Sequence, residues 1–117
     1  MDNYCQDLNL PMLAQQTFGE ILRKLREHDG MPLRKLAALL DMDQSTLSKI
    51  ERNERKANAD LIEKLSRIFK TDKKKLHISF ISDKVAYELL DEESSMDILK
   101  VAEEKIEYLK SKRKTVK

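Results

Sequence analysis

The chain has 117 residues, of which 38% are charged and 5% aromatic, so it suits one small domain with a modest core and an appendage. Its net charge of +2 at pH 7 is too small to indicate a nucleic-acid partner. Nucleic-acid binding has to be inferred from the positions of the charged residues and not from their sum. The single cysteine, Cys5, excludes an internal disulfide, and two histidines without ligand spacing predict no metal site.

The N-terminal segment shows no clear hydrophobic periodicity. Asn3, Asn9 and Pro11 interrupt it, and residues of these types favour turns and loops. The sequence therefore predicts a flexible arm over residues 1–16.

A first helix is predicted to begin after Thr17. Thr17 and Glu20 have the spacing of a capping box, in which each side chain accepts a hydrogen bond from a free backbone amide. The helix is predicted to end near Gly30, because glycine readily takes the left-handed backbone conformation found there. An apolar stripe recurs between these ends at helical spacing: Phe18, Ile21, Leu22 and Leu25.

Two short amphipathic helices are predicted next, at the spacing of a helix-turn-helix. The apolar face of the first is Leu33, Leu36, Ala37 and Leu40. Ala37 is small enough to let the two helices cross closely. Asp43 is placed to cap the start of the second helix, which covers Gln44 to Arg52 and turns Leu47 and Ile50 inward.

The outer face of the second helix carries side chains that can hydrogen-bond to DNA. Glutamine can pair with adenine, and lysine or arginine favours the two major-groove acceptors of guanine, so Gln44, Ser45 and Lys49 are predicted to read bases. Thr46 and Ser48 could reach phosphate or sugar oxygens, or could only cap and solvate the helix. Basic residues at the helix end and in the next loop are predicted phosphate contacts: Arg52, Arg55 and Lys56.

One pattern runs through both helices of the motif. It comprises Leu36-Ala37, Leu40, Met42 and the run Ser45-Thr46-Leu47-Ser48-Lys49-Ile50-Glu51-Arg52. The pattern resembles the helix-turn-helix domains of the Xre group, which are related to phage repressors and Cro proteins, and the resemblance extends from Thr17 to Phe69. It implies a repressor-like bundle whose second motif helix enters the major groove of DNA.

Two positions depart from the family pattern. Asp41 stands where the family usually has glycine in the turn, and aspartate can adopt the left-handed backbone angles needed there at modest cost. Leu33 stands where the family often has a glutamine that contacts phosphate, so this contact does not carry over. The resemblance also implies a structural role for Glu51, paired with an arginine, for which Arg23 is the predicted partner.

A fourth helix completes the predicted domain. Residues 53–57 form a polar connector, and Asn58 is placed to cap the helix that follows. The inward face of this helix is Leu61, Ile62, Leu65, Ile68 and Phe69. Four helices around one core therefore predict a DNA-binding domain over residues 17–71.

The remaining residues, 72–117, predict a helical dimerisation segment with a basic tail. A first helix follows the lysine run, although Ile78-Ser79-Phe80-Ile81 also has strand propensity. A last helix, from Ser94 or Ser95 to about Lys112, presents an apolar stripe at steps of three and four residues, the start of a coiled-coil seam. The predicted dimerisation residues are Leu99, Ala102, Ile106 and Leu109.

The sequence thus predicts an all-α, repressor-like helix-turn-helix bundle with a C-terminal helical extension for dimerisation. The expected function is a transcriptional regulator that binds double-stranded DNA as a homodimer at an inverted repeat, either autoregulatory or controlling a restriction-modification operon. An antitoxin, or an interaction module whose C-terminal helices bind a partner protein, is the alternative. We expect no enzymatic activity, no cofactor, no membrane association and a cytoplasmic location.

Overall fold

The computed structural model describes Leu8 and residues 10–116, with side chains for Leu8 and residues 12–113. All regular structure in this part of the chain is helical, which confirms the predicted all-α fold. The helices are α1 (Leu10–Gln15), α2 (Phe18–His28), α3 (Leu33–Leu39), α4 (Gln44–Glu51), α5 (Ala59–Phe69), α6 (Lys73–Leu89) and α7 (Ser95–Val116). The chain divides into two compact units, with the boundary between Lys84 and Val85.

The core of the first unit is built from leucine, isoleucine and phenylalanine side chains of α1 to α6. Its most deeply buried members are Leu8, Ile21, Leu22, Leu25, Leu36, Leu47, Ile62, Leu65 and Leu76. Burying one such side chain stabilises the folded state by roughly 1.5–3 kcal/mol. These residues recur at steps of three and four along each helix, so the predicted periodicity selects the faces that meet in the core.

The prediction of a flexible arm is wrong for residues 10–15, which form α1. Leu8 and Leu13 are buried in the core of the first unit. Pro11, which we expected to disrupt regular structure, lies in the first turn of α1, where a missing backbone N–H is tolerated. The rest of the predicted arm, residues 1–7 and 9, lies outside the described residues.

The predicted domain boundary after residue 71 also needs correction. The first part of α6 belongs to the first unit, because Leu76 and Phe80 are buried in its core. The Phe80 ring meets the edge of the Phe18 ring at a centroid distance of 5.6 Å. The stretch at 78–81, for which a strand is the alternative, is helical, with Ser79 and Phe80 buried and Ile78 and Ile81 exposed.

The start of α2 is held by four side chains. The predicted capping box is present, with Thr17 Oγ1 accepting from the amide of Glu20 at 3.2 Å and Glu20 Oε1 accepting from the amide of Thr17 at 2.9 Å. Asp83 Oδ2 on α6 accepts from the amide of Phe18 at 2.8 Å. Asn53 donates to Thr17 Oγ1, also at 2.8 Å. These contacts fix α2 to α6 and to the segment after α4.

The carboxylate of Asp83 predicts a pH-dependent contribution to stability. Its partial burial raises the pKa of Asp83, against the opposing effect of the hydrogen bond from Phe18. A carboxyl group whose pKa is raised on folding stabilises the fold while protonated, and this contribution is lost as pH rises through the folded-state pKa. We expect Asp83→Asn, which keeps an acceptor for Phe18, to be more stable than wild type at pH 7.

Urea unfolding at two pH values checks this expectation. The advantage of Asp83→Asn should shrink as pH falls below the ordinary aspartate pKa of about 3.9, because wild-type Asp83 is then protonated as well. An advantage of equal size at pH 7 and pH 3.5 would contradict this account of Asp83.

The second unit contains the end of α6 and all of α7. None of its described side chains is buried, and Leu89, Ser95 and Ala102 are half-buried. Its exposed apolar residues are Val85, Tyr87, Leu90, Met96, Ile98, Leu99, Val101, Ile106, Tyr108 and Leu109. This unit therefore exposes far more apolar surface for its size than the first unit does.

Candidate nucleic-acid interface

The turn between α3 and α4 has the conformation predicted for it. Asp41 has a φ of 56°, in the left-handed region, which confirms that aspartate takes the position where glycine was expected. The amide of Asp41 donates to the carbonyl of Ala38 at 3.1 Å, and the amide of Met42 donates to that of Ala37 at 3.0 Å. These bonds close the C-terminal end of α3 and set the direction in which the chain enters α4.

Asp43 precedes α4 at the predicted capping position, with an extended backbone. Its side chain, however, makes no hydrogen bond to the first turn of α4, so the predicted capping bond is wrong. The carboxylate is exposed to solvent, where water competes for its acceptor sites. The amide of Leu47 bonds to the backbone carbonyl of Asp43 at 3.1 Å, so this residue begins the helix through its main chain.

The core side of α4 is formed by Leu47, Ile50 and Glu51, all of which are buried. Because an α-helix advances about 100° per residue, Ser45 and Lys49 project from the opposite side. Both are exposed, as is Gln44 on one flank of this face. The structure therefore brings the three predicted base-reading residues onto one open surface of a single helix.

Thr46 and Ser48 lie at the two edges of that open surface. Both side chains are half-buried, Thr46 on one flank and Ser48 on the other, next to Gln44. Each residue therefore keeps part of its surface available to solvent. Contacts to phosphate or sugar oxygens remain a prediction for both.

The predicted phosphate contacts follow α4 in the loop that leads to α5. Arg52 lies at the C-terminal end of α4 and forms an exposed ion pair with Glu54 at 3.4 Å. Arg55 and Lys56 are exposed further along the loop. Leu33 packs against the apolar core.

Glu51 is paired with Arg26, so the predicted pairing with Arg23 is wrong. Arg26 Nε donates to Glu51 Oε2 at 2.7 Å, and Arg26 Nη2 donates to Glu51 Oε1 at 3.0 Å. A third bond, from Arg26 Nη1 to the carbonyl of Met31, is 3.0 Å long. The side chains of Arg26 and Glu51 are 14% and 5% exposed, and the hydrogen bond that Arg26 donates to Glu51 raises the pKa of Arg26. The pair ties α4 to α2 from the buried side of α4.

The choice between the two arginines follows from helix geometry. Arg26 lies one turn after Leu22, which is buried, so its side chain starts at the edge of the core face of α2. Arg23 lies one turn before Glu27 on the solvent side, and these two form an exposed ion pair at 3.0 Å. Arg23 and Arg26 are only three positions apart on α2, yet Arg26 forms the buried pair and Arg23 lies at the surface.

Gly19 is a residue whose role the sequence analysis did not identify. A Cβ atom at this position would lie 2.4 Å from the carbonyl oxygen of Ile50 and 2.8 Å from that of Glu51. Both atoms belong to the backbone of α4, which cannot move aside as a side chain can. Glycine in the first turn of α2, an unusual place for it, was the available signal. Gly19 thus allows α2 to approach the end of α4 closely.

Lys49 is expected to contribute to sequence recognition. Loss of a good base contact costs about 1–3 kcal/mol, so Lys49→Ala should weaken binding to a specific site by roughly 10-fold or more. Because Lys49 is exposed on α4, its removal should leave helicity and the melting temperature unchanged. Titration of a specific and a scrambled duplex, with circular dichroism on the same samples, tests both expectations.

A charge-matched control is Lys100→Ala, on exposed α7 outside the first unit. We expect it to leave the preference between the two duplexes unchanged. An unchanged preference in Lys49→Ala as well would contradict a base-reading role for Lys49.

The helix-turn-helix family model matches residues 22–76. This segment runs from α2 to the start of α6 and includes α3, the turn and α4. No curated protein and no solved structure matches the chain. No helix among residues 10–116 is long and apolar enough to cross a membrane. The match and the geometry together support a helix-turn-helix DNA-binding domain at residues 22–76, within an all-α, repressor-like fold.

Proposed function

We propose that this protein is a sequence-specific transcriptional regulator that acts in the cytoplasm and binds an inverted-repeat operator as a homodimer. The observation that carries the proposal is the open face of α4, with Gln44, Ser45 and Lys49 exposed together on it. Glu51 and Arg26 hold the opposite side of the same helix against α2. A helix fixed in this way can present its polar face to base edges without losing its own position.

The homodimer follows from the limits of one short helix. A single helix in the major groove reads few bases, whereas two copies related by a twofold axis place two such helices in successive grooves about 34 Å apart. The proposed pairing surface is the α7 stripe, which we define as Leu99, Ala102, Ile106 and Leu109. Three of these side chains are exposed and Ala102 is half-buried.

The proposed target is the promoter of the protein's own gene or of a restriction-modification operon. The acidic segment before α7 and the run Leu99-Lys100-Val101-Ala102-Glu103-Glu104-Lys105 resemble small regulators encoded beside restriction-modification genes. A neighbouring methyltransferase or nuclease gene would favour this setting.

The second candidate is an antitoxin or an interaction module. It is favoured by the same exposed apolar surface of α7, which a partner protein could cover instead of a second copy. A short toxin gene beside this one would favour it. Co-expression with the product of that gene, followed by measurement of the mass of the complex, separates a partner protein from self-pairing.

Selection from a pool of random DNA duplexes tests the main proposal. We expect enrichment of an inverted repeat whose half-sites are centred about 10–10.5 base pairs apart, or a multiple of this spacing. The matched control is the Lys49→Ala protein, which should enrich the repeat less strongly. Failure of the wild-type protein to enrich any sequence would contradict the proposal.

A further inference from the structure

The two halves of the C-terminal segment carry opposite charge. Residues 91–104 contain six acidic residues and one basic residue, and residues 105–117 contain six basic residues and one acidic residue. The acidic residues of the first half are Asp91, Glu92, Glu93, Asp97, Glu103 and Glu104. The basic residues of the second half are Lys105, Lys110, Lys112, Arg113, Lys114 and Lys117.

The charge division continues along α7 itself, the helix that carries the α7 stripe. Residues 95–104 hold three acidic residues and one basic residue, and residues 105–116 hold five basic residues and one acidic residue. Leu99 is 39% exposed, Ile106 52% and Leu109 57%, so the stripe is open to a partner. Its residues are spaced by three, four and three positions, which keeps them on one side of α7. Any helix that covers the stripe therefore lies alongside both charged halves.

We propose that two copies of the chain pair through α7 in antiparallel orientation. This inference rests on the proposed homodimer and adds the direction and the register of the pairing. The acidic half of one α7 lies against the basic half of the other, and the helix dipoles also oppose each other. Leu99 of one copy meets Leu109 of the second copy, and Ala102 meets Ile106.

The parallel arrangement is disfavoured by the same charges. It would set the three acidic residues of one N-terminal half of α7 beside those of the other copy, and the five basic residues of one C-terminal half beside those of the other. In the antiparallel pair, like charges meet only near the centre. There, Glu103 of one copy lies near Glu103 of the other on one side of the stripe, and the two copies of Lys105 lie near each other on the opposite side. Toward each end of the pair, Asp97 of one copy then lies at the level of Lys110 and Lys112 of the other.

Disulfide trapping in the full chain tests the direction. The single native cysteine is first removed as Cys5→Ser, and Leu99→Cys and Leu109→Cys are then made separately in that background. An equimolar mixture, oxidised after exchange of subunits, should give a mixed disulfide at least about tenfold more abundant than the disulfide formed within either single variant. Two copies of residue 99 would lie ten residues, or about 15 Å, apart along an antiparallel pair, well beyond the ~7 Å limit between the Cα atoms of a disulfide.

The matched control is a mixture of Asp97→Cys and Ser111→Cys in the same background. These positions are related by the same register, but they lie on the side of α7 away from the stripe. We expect no mixed disulfide above background from this pair. Trapping as efficient as that of the Leu99 and Leu109 variants would show random collision and would overturn the inference.

Sedimentation equilibrium of the Cys5→Ser protein separates the possible failures. A dimer in which Leu99→Cys links to itself is parallel, and a dimer in which neither variant links uses another surface. Either result overturns the antiparallel pairing and leaves the proposed homodimer standing. A protein that is monomeric at every concentration overturns both the antiparallel pairing and the homodimer. Sequence-specific DNA binding is tested separately, by whether the same protein enriches a DNA sequence.

Discussion

Replacing Glu51 with alanine is expected to lower the free energy of unfolding by about 3–5 kcal/mol, because the change leaves the largely buried guanidinium of Arg26 without its carboxylate partner. The pair is bidentate, at 2.7 and 3.0 Å, and both side chains are largely buried. Since small domains are stable by only about 5–15 kcal/mol, Glu51→Ala should remove a large part of the total. Urea unfolding followed by circular dichroism measures the loss.

Two controls separate the buried pair from a general charge effect. Glu27→Ala removes the partner of Arg23 from an exposed ion pair and should cost less than about 1 kcal/mol. The double variant Arg26→Met, Glu51→Leu removes both charges and should recover much of the loss, because apolar side chains of similar size can replace a buried pair. A cost for Glu51→Ala no larger than that for Glu27→Ala would contradict the role assigned to Glu51.

Replacing Gly19 with alanine is expected to destabilise the fold by about 3 kcal/mol, at the upper end of the cost of overpacking. Glycine to alanine inside a helix normally stabilises by up to about 1 kcal/mol, so the sign of the effect is diagnostic. The new methyl group would lie 2.4 Å from the carbonyl oxygen of Ile50, and relieving this clash requires α2 and α4 to separate. The same separation should weaken DNA binding, because it tilts the helix that carries Lys49.

Gly30→Ala is the matched control for this prediction. Gly30 has a φ of 66°, but a Cβ atom there would meet no atom within 4 Å, so only backbone strain of roughly 1–2 kcal/mol is expected. Thermal unfolding of both variants, with DNA binding measured at a temperature where each is folded, tests the difference. A Gly19→Ala protein as stable as wild type would show that α2 and α4 are not in close contact.

The local features of the fold could be predicted because the sequence determines them over a few residues. The capping box at Thr17 and Glu20, the Asn58 cap and the left-handed backbone at Gly30 and Asp41 all depend on nearby chain geometry. Helical periodicity likewise identifies the buried faces before their partners are known.

Features that depend on tertiary packing could not be predicted in the same way. The sequence predicts an arm over residues 8–15 because six helical residues are too few to show a period. The burial of Leu8 and Leu13 depends on contacts with the rest of the core. The choice of Arg26 over Arg23 depends on which side of α2 faces α4, and the need for Gly19 depends on how closely those helices approach.

The open face of α4 could be predicted from the sequence only in part. Its polar residues and their spacing were evident in the sequence, and the structure adds that Gln44, Ser45 and Lys49 are exposed together. Which of them contacts a base and which a phosphate depends on how the domain docks on DNA. Base contacts confer sequence preference, whereas phosphate contacts mainly set affinity and its salt dependence, so variant binding data can separate the two.

The central claim is that this protein recognises a DNA sequence, and fluorescence anisotropy tests it most directly. The protein is titrated into a labelled duplex from upstream of its own gene and into a scrambled duplex of the same composition, at several salt concentrations. We predict a preference of about 10³-fold or more for the upstream duplex, with affinity for both falling as salt rises. Equal, salt-sensitive affinity for the two duplexes would contradict the proposed autoregulatory, sequence-specific function.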